Sequence, residues 1–231
     1  MFRLASLIVV VAAASGCSHA QEPSQCFGTT ANGRLENGWK LPARGRNFRS
    51  YSSVGSLLGR TYVHSTVHKI VLNAYAAVAD GLPEKTFVYG ETGKKSGGEF
   101  SPHRTHRNGL SVDFMVPLLD ENGRSVPMRT HAFNSWGYDL EFDASGRMDG
   151  FTIDADAMAE HIYQLHRAAI DADVDIRRVI FDPELRPLLH ATSRWEYLEN
   201  HIRFSKRRSW VRHDDHYHVD FAVDCASAAG P

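Results

Sequence analysis

The chain is long enough for one domain with a substantial core, since it has 231 residues of which 42% are hydrophobic. Its 26 basic and 27 acidic residues give a net charge of −1, and no polybasic segment indicates a nucleic-acid partner. The chain also has 13 histidines, an unusually large number, and their clustering is more informative than their count.

The first residues are typical of an export signal. Arg3 precedes an apolar run that is too short to span a bilayer, so residues 1–20 are predicted to be a signal peptide and residues 21–231 a single domain. Cleavage after Ala20 would release a soluble domain, whereas lipobox cleavage before Cys17 would leave an acylated cysteine and attach the protein to a membrane. Either cleavage predicts an exported protein, in the periplasm.

Cys26 and Cys225 are the two cysteines that either cleavage leaves unmodified. They lie near opposite ends of the mature chain, in a compartment where disulfides persist. A bridge that joins the two ends is therefore predicted, and two buried free thiols are the alternative.

The N-terminal half contains one predicted helix and two predicted strands. Residues 21–60 are rich in Gly, Ser, Asn and Arg without periodicity, and are expected to wrap irregularly around the core. Apolar residues recur at helical spacing over 67–79. Strands are predicted at 86–89 and 110–116, with a glycine-rich loop between them.

The C-terminal half continues the alternation of strands and helices. A strand at 136–142 followed by a turn at 143–146 predicts a hairpin. A helix over 154–170 would be capped by Asp154, and its histidines, His161 and His166, are interpreted as structural. The remaining predicted elements are a strand at 177–181, a short helix at 182–189 and a last strand at 211–223. This order indicates an α+β fold with a central antiparallel sheet flanked by helices.

The last predicted strand places polar side chains on one face. Alternation puts His216, His218 and Asp220 together, opposite a face of aromatic and aliphatic residues. Two imidazoles at this spacing can bind one ion, or one can bind the ion while the other acts on the attacking water. Such a pair also occurs where histidines are exposed or hydrogen-bonded in a core, so it needs support from elsewhere in the chain.

That support comes from His106 and Asp113, which have six residues between them. Gly109 permits a turn in this interval, so a loop nitrogen and a strand oxygen can reach the same metal. With His218 they make a set of three protein ligands. An open fourth position is typical of catalytic zinc, whereas a structural site is closed by a fourth ligand, usually cysteine. The sheet is therefore predicted to carry a catalytic zinc site.

The two motifs together resemble those of the penicillin-insensitive murein endopeptidases, within the wider group of lysostaphin-type and D-alanyl-D-alanine zinc peptidases. The segment 97–113 is similar to that family's glycine-rich approach to a His-x2-His-x6-Asp motif. The segment 213–219 is similar to its His-x2-His-x-His-Val strand, and residues 181–183 and the placement of the cysteines also match. Residues 117–153 match poorly.

The resemblance implies three zinc ligands, His106, Asp113 and His218. It also implies that His216 is the general base or orients the attacking water, and that His213 stabilises the oxyanion or the substrate. His103 is an auxiliary candidate with three possible roles: it could support a zinc ligand, bind a second metal, or be a solvated loop histidine without a function in the site. Asp214, Asp215 and Asp220 could orient the imidazoles by hydrogen bonding, although Asp214 and Asp215 are interpreted as surface groups.

The activity that the resemblance implies is hydrolysis of the D-alanine to meso-diaminopimelate amide in the peptide cross-links of peptidoglycan. Two alternatives stay open, because ligands do not fix the substrate. One is a D-alanyl-D-alanine carboxypeptidase or dipeptidase at the same site. The other is a noncatalytic, zinc-stabilised module that binds the wall. Glu91 is an additional candidate, either to support a ligand or to bind a substrate amine.

Overall fold

The computed structural model describes residues 21–228, so the predicted signal peptide and lipobox lie outside the described residues. The helices are α1 (Ser53–Leu57), α2 (Ser65–Gly81), α3 (Ala155–Ile170) and α4 (Trp195–His201), and 3-10 turns occupy Ala132–Gly137 and Arg186–Ala191. The strands are β1 (Gln25–Gly28), β2 (Gly33–Glu36), β3 (Trp39–Lys40), β4 (Phe48–Ser50), β5 (Tyr62–Val63), β6 (Phe87–Tyr89), β7 (Ser111–Met115), β8 (Leu118–Leu119), β9 (Ser125–Val126), β10 (Arg147–Met148), β11 (Phe151–Ile153), β12 (Ile176–Ile180) and β13 (His216–Phe221).

The central sheet has five strands in the order β12-β13-β7-β6-β4. Its neighbours pair antiparallel, except that the edge strand β4 runs parallel to β6. The prediction of an α+β fold around a central sheet is confirmed, with this one parallel pair added at the edge. β8 to β11 form a separate small sheet in the order β10-β11-β8-β9.

The two long helices cover one face of the central sheet. Tyr75 of α2 stacks on His161 of α3, whose ring also contacts the ring of Phe114 in β7. Phe114 in turn stacks on Tyr217 of β13, and the hydroxyl of Tyr217 is 2.5 Å from Nδ1 of His161. His161 is fully buried, as expected for a structural histidine. The opposite face of β7 and β13 is left for the polar residues.

Both long helices begin and end close to the predicted positions. Asp154 caps α3, since its carboxylate accepts a hydrogen bond from the Ala157 backbone N–H at 3.1 Å. The last strand is confirmed but is shorter than predicted, since it covers only 216–221. Two other predictions are wrong: residues 21–60 contain β1 to β4 and α1, and a 3-10 turn at Arg186–Ala191 takes the place of the helix expected at 182–189. α4 was not predicted.

The strand predicted at 136–142 is also wrong. Ser135 and Trp136 have φ values of +48° and +60°, which break an extended backbone. Further along, the backbone N–H of Phe142 donates to the Asp214 carboxylate at 2.9 Å and not to a neighbouring strand. The hairpin is formed instead by β10 and β11, after a turn in which Gly146 N–H donates to the Asp143 carbonyl at 2.9 Å.

A disulfide joins Cys26 in β1 to Cys225, as predicted, with a sulfur–sulfur distance of 2.08 Å. It holds the β1–β2 hairpin against the segment that follows β13. Within residues 21–228, no helix is both long and apolar enough to cross a membrane.

Candidate metal centre

The centre of the site is a cross-strand pair in the middle of the sheet. β7 and β13 pair so that His218 lies directly opposite Asp113, and Asp220 lies opposite Ser111. Side chains that face each other on the same side of an antiparallel pair lie close together. As a result, Nδ1 of His218 is 2.8 Å from Oδ1 of Asp113. The predicted polar face of the last strand therefore looks onto the predicted aspartate.

His106 reaches this pair from the loop before β7. Its φ is +67°, in the left-handed region that residues other than glycine rarely adopt and that is frequent at functional sites. The side chain is fully buried, and its Nε2 lies 3.3 Å from Oδ1 of Asp113. The same carboxylate oxygen therefore faces nitrogens of both His106 and His218.

Hydrogen bonds on the far side of each ring fix which nitrogen faces Asp113. His106 donates from Nδ1 to the Thr92 carbonyl at 3.2 Å, and His218 donates from Nε2 to Oδ1 of Asp220 at 2.8 Å. In the neutral form of each ring the inward nitrogen carries a lone pair, and a metal ion at His218 would displace the proton that Nδ1 shares with Asp113. This arrangement, and the carboxylate–histidine contact in particular, is typical of metal ligands.

Asp220 is itself held by two further side chains. It accepts a hydrogen bond from Ser111 Oγ at 2.6 Å, and its second oxygen accepts one from Nε of Arg178 at 2.7 Å. The carboxylate is completely buried, so these contacts compensate for the loss of water around it. The orientation of His218 is therefore set by a network that extends to β12.

The donor atoms fit a divalent metal ion. Nε2 of His106 is buried without a hydrogen-bond partner in the described part of the chain, and such nitrogens are rare unless something else binds them. In a tetrahedral zinc site, adjacent ligand atoms are roughly 3.3 Å apart. The 3.3 Å separation between His106 Nε2 and Asp113 Oδ1 matches that value, whereas the 2.8 Å between His218 Nδ1 and the same oxygen is a hydrogen-bond distance that would lengthen on metal binding.

His103 offers an alternative third ligand. The group of described residues whose ligand atoms all lie within 4.8 Å of one another, and which could hold a metal ion, consists of His103, His106 and Asp113 and does not include the predicted ligand His218. However, Nε2 of His103 is bound to the Glu91 carboxylate at 2.7 Å, and its Nδ1 is 3.9 Å from the other oxygen of Asp113. The two ligand sets share His106 and Asp113 and differ in the third residue.

Charge in the site favours a cation. Burial acts to raise the pKa of Asp113, but His106 and His216 outweigh it and hold the pKa well below its usual range. Burial lowers the pKa of His106, which favours the neutral imidazole that metal binding requires. For His218, burial is outweighed by the carboxylates of Asp220 and Asp113, which raise its pKa to about 10. Asp113 is therefore ionised at physiological pH and supplies negative charge to the site.

His216 is held by its chain neighbour. Its Nδ1 donates to Oδ1 of Asp215, and its ring lies 4.5 Å from that of His213, measured between centroids. Burial opposes a charge on His216, but Asp215 and Asp113 raise its pKa. Burial and the proximity of His216 lower the pKa of His213 to about 3. The pair therefore combines one imidazole that accepts a proton readily with one that stays neutral.

The prediction that Asp214 and Asp215 are surface carboxylates is wrong. Their exposed fractions are only 2% and 3%. Asp214 accepts a hydrogen bond from the Phe142 N–H and pairs with Arg212 at 3.0 Å, while Asp215 holds His216. Their burial could not be read from two adjacent acidic residues, because it depends on the distant segment around Phe142 that packs over them.

Tyr138 is a site residue that the sequence analysis missed. Its hydroxyl donates to Oδ2 of Asp113 at 3.0 Å and accepts from the Glu91 N–H at 2.7 Å. It lies in the poorly matching 117–153 segment, and no local pattern marks it. Glu91, the additional candidate, has its carboxylate bound by the side chains of Tyr51, Arg60 and His103. Glu91 therefore supports the site and has little capacity left for a substrate amine.

The site opens into a cleft of about 900 Å³. His213, His216 and His218 line it, together with apolar side chains such as Leu58 and Trp136. A cleft of this size, mostly apolar and with a few convergent polar groups, is typical of a ligand-binding site.

The chain was compared with models of known protein families. A family model described as penicillin-insensitive murein endopeptidase matches residues 26–229 of the chain. The matched range includes the candidate metal centre and both cysteines. A search of curated proteins found no match.

Proposed function

Because this chain belongs to the penicillin-insensitive murein endopeptidase family, we propose that it is a zinc-dependent hydrolase of peptidoglycan cross-links. The bond cleaved is the amide between D-alanine and meso-diaminopimelate. The observation that carries the proposal is the approach of His106 Nε2 and His218 Nδ1 to one oxygen of Asp113, in a wide cleft. An enzyme acting on murein works at the cell wall, in keeping with the predicted export.

We assign zinc to His106, Asp113 and His218. Both nitrogens face the same carboxylate oxygen, and the outer nitrogen of each ring is already hydrogen-bonded. His103 is assigned a supporting role, because its Nδ1 faces the other oxygen of Asp113 and lies 3.9 Å from it, farther than either assigned nitrogen lies from Oδ1. Zinc at this position would polarise the scissile carbonyl and make a water molecule more acidic.

The remaining histidines supply proton transfer and substrate contacts. Asp215 fixes the tautomer and the orientation of His216 through Nδ1, so Nε2 can accept a proton from the attacking water. The same nitrogen can then return the proton to the leaving amine. His213 lines the cleft beside His216, and its Nδ1 donates to the Val211 carbonyl, which leaves Nε2 to contact the substrate.

Digestion of purified sacculi by the exported form of the chain, with zinc supplied, tests this proposal. Chromatography of the soluble products is expected to show loss of dimeric muropeptides, and a chelator is expected to prevent that loss. Loss of terminal D-alanine without loss of dimers would favour the carboxypeptidase instead. Binding to sacculi without any cleavage would favour the noncatalytic module.

Two variants separate metal binding from proton transfer. His106→Ala is expected to abolish both zinc binding, measured by elemental analysis, and cleavage. His216→Ala is expected to keep stoichiometric zinc and to lose cleavage by at least about 100-fold, as for removal of a general base. His201→Ala, at the exposed end of α4, is the matched control and should change neither. Full zinc retention in His106→Ala would refute the ligand assignment.

A further inference from the structure

Arg178 stands on β12 at the edge of the candidate site. It pairs with Asp220 across the β12–β13 ladder, and the next residue on the same face, Ile180, pairs with His218. Two strand positions correspond to about 7 Å, so the arginine lies one side-chain length from the proposed metal position. The register shifts between Ile176 and Arg178, and such irregularities commonly redirect a side chain beside an active site.

The guanidinium group of Arg178 is only partly used by the protein. Its Nε donates to Asp220 at 2.7 Å, while neither terminal nitrogen has a hydrogen-bond partner within the described residues. The side chain is 44% exposed and lines the cleft. An arginine held at Nε and open at its terminal nitrogens presents two parallel N–H donors, the geometry that binds a carboxylate.

The other two arginines of the cleft are differently engaged. Arg60 donates to both Glu91 and the Ser101 carbonyl, and its guanidinium lies over the ring of Phe100. The guanidinium of Arg104 lies 4.7 Å from the ring centroid of Trp210, which is 62% exposed. Of the three, Arg178 is the one that is hydrogen-bonded to the residue holding a proposed metal ligand.

We infer that Arg178 binds a carboxylate carried by the carbon next to the scissile nitrogen, and so selects cross-links whose acceptor residue has that group. The inference rests on the proposed function. In an amide made by the amino-acid end of meso-diaminopimelate, the carbon attached to the scissile nitrogen carries a carboxylate. In an amide made by a lysine side chain, the corresponding carbon carries none. Arg178 would distinguish these two classes of substrate.

Cleavage of a matched pair of cross-linked peptides tests the inference. The two peptides differ only in whether the carboxylate beside the scissile nitrogen is free or amidated. The wild type is expected to cleave the free acid about 10- to 100-fold more efficiently, as for loss of a charge-assisted hydrogen bond. In Arg178→Gln the preference should fall to near one, mainly through a higher KM for the acid. Arg178→Lys should keep part of it.

The ratio of the two rates separates recognition from structural support. If Arg178 acted only by holding Asp220 and His218, Arg178→Gln would slow both peptides equally and leave the preference intact. That result, or a wild type without preference, would overturn the inference. Arg104→Gln is the control and should keep the preference for the free acid. If Arg104→Gln lost that preference, the carboxylate would be bound by Arg104 and the inference for Arg178 would be wrong. A zinc-loaded wild type that cleaves neither peptide would instead refute the proposed function.

Discussion

Tyr138 connects two parts of the site through a single hydroxyl group. That hydroxyl bridges the Asp113 carboxylate and the backbone N–H of Glu91. The ring of Tyr138 also packs against His216, with 4.9 Å between the ring centroids. Removing only the hydroxyl would therefore test whether it positions Asp113, because the packing of the ring against His216 would remain.

Tyr138→Phe is expected to weaken zinc binding by about 10-fold, the lower end of the range for loss of a group that orients a metal ligand. Oδ2 of Asp113 would lose a donor, while the ring contacts remain. Competition with a chromogenic chelator measures the affinity. Tyr163→Phe is the control, since Tyr163 contacts Tyr197 and Arg194 through its ring and these contacts do not depend on its hydroxyl. Equal zinc affinities in Tyr138→Phe and the wild type would contradict the role.

His161 makes folding stability depend on pH. Burial lowers its pKa to about 3 in the folded protein, against about 6.5 in the unfolded chain. Its contribution is therefore complete above pH 6.5 and is lost as the pH falls towards 3, because the unfolded chain then binds the proton more readily. Its neighbours Tyr75 and Tyr217 do not titrate in this range, since burial raises their pKa values well above 10.

The wild type is expected to lose about 2 kcal/mol more than His161→Gln between pH 6.5 and pH 5. Glutamine can still accept the Tyr217 hydroxyl bond but does not titrate, so other groups contribute equally to both proteins. Urea unfolding at the two pH values measures the difference. Parallel pH profiles would show that His161 is not held neutral by burial.

At the scale of single residues, the sequence predicts those placed by a regular element. The common orientation of His218 and Asp220 follows from strand alternation, because side chains two positions apart on a strand point to the same face of the sheet. Tyr138 could not be predicted in this way. Its partners, Asp113 and Glu91, are supplied by segments far away in the chain, and no spacing rule connects those segments.

Among the elements, the loop between β6 and β7 is the one on which the site depends most. It carries His103 and His106, and its glycines allow it to pass close to other backbone segments. Gly109 has a φ of +76°, and a Cβ there would lie 2.6 Å from Leu35 Cδ2 and 2.8 Å from the His64 backbone nitrogen. No side chain fits at that position without displacing the loop.

Gly109→Ala is expected to lower the free energy of unfolding and to weaken zinc binding. Gly123→Ala provides a matched control, because Gly123 has a similar φ of +71° but a Cβ there would meet nothing within 4 Å. In both variants the alanine is strained by about 1 kcal/mol in the left-handed region. The difference between their losses of stability therefore reports only the clash of the new Cβ with Leu35 and His64. We expect Gly109→Ala to lose at least about 1 kcal/mol more, as for overpacking, and to bind zinc more weakly. Calorimetry and chelator competition measure both quantities, and equal losses would contradict the role.

Long periodic elements were predictable, and short irregular ones were not. α2 and α3 bury one continuous stripe each, so their apolar spacing marks them. The 117–153 segment contains strands of two or three residues and left-handed residues at Ser135 and Trp136. Such strands are too short to show a periodicity, and their order comes from tertiary contacts. Tyr138 is positioned by this segment, which explains why the site prediction lacked it.

At the scale of the whole molecule, the disulfide connects the chain ends to the site. The β1–β2 hairpin that contains Cys26 is hydrogen-bonded to the loop carrying His106, through Arg107 N–H to the Thr30 carbonyl at 3.0 Å and Gly98 N–H to the Gly33 carbonyl at 3.2 Å. On the other side, Asn108 donates to the sulfur of Cys225 at 3.6 Å. The disulfide therefore pins the hairpin against the loop that holds a proposed zinc ligand.

Replacement of both cysteines by alanine is expected to lower the free energy of unfolding by about 2–5 kcal/mol, because the bridge closes a loop with a sequence separation of 199 residues. Zinc affinity should also fall in the fraction that remains folded, since the hairpin would no longer restrain Arg107 and Asn108 beside His106. Equilibrium unfolding gives the first quantity, and chelator competition under conditions where the variant is fully folded gives the second. Asp154→Ala is the control: it removes the α3 cap and the ion pair with Lys85, and should cost at least about 1 kcal/mol without touching the loop. If zinc affinity were unchanged in the cysteine variant, the bridge would stabilise the fold without positioning the site.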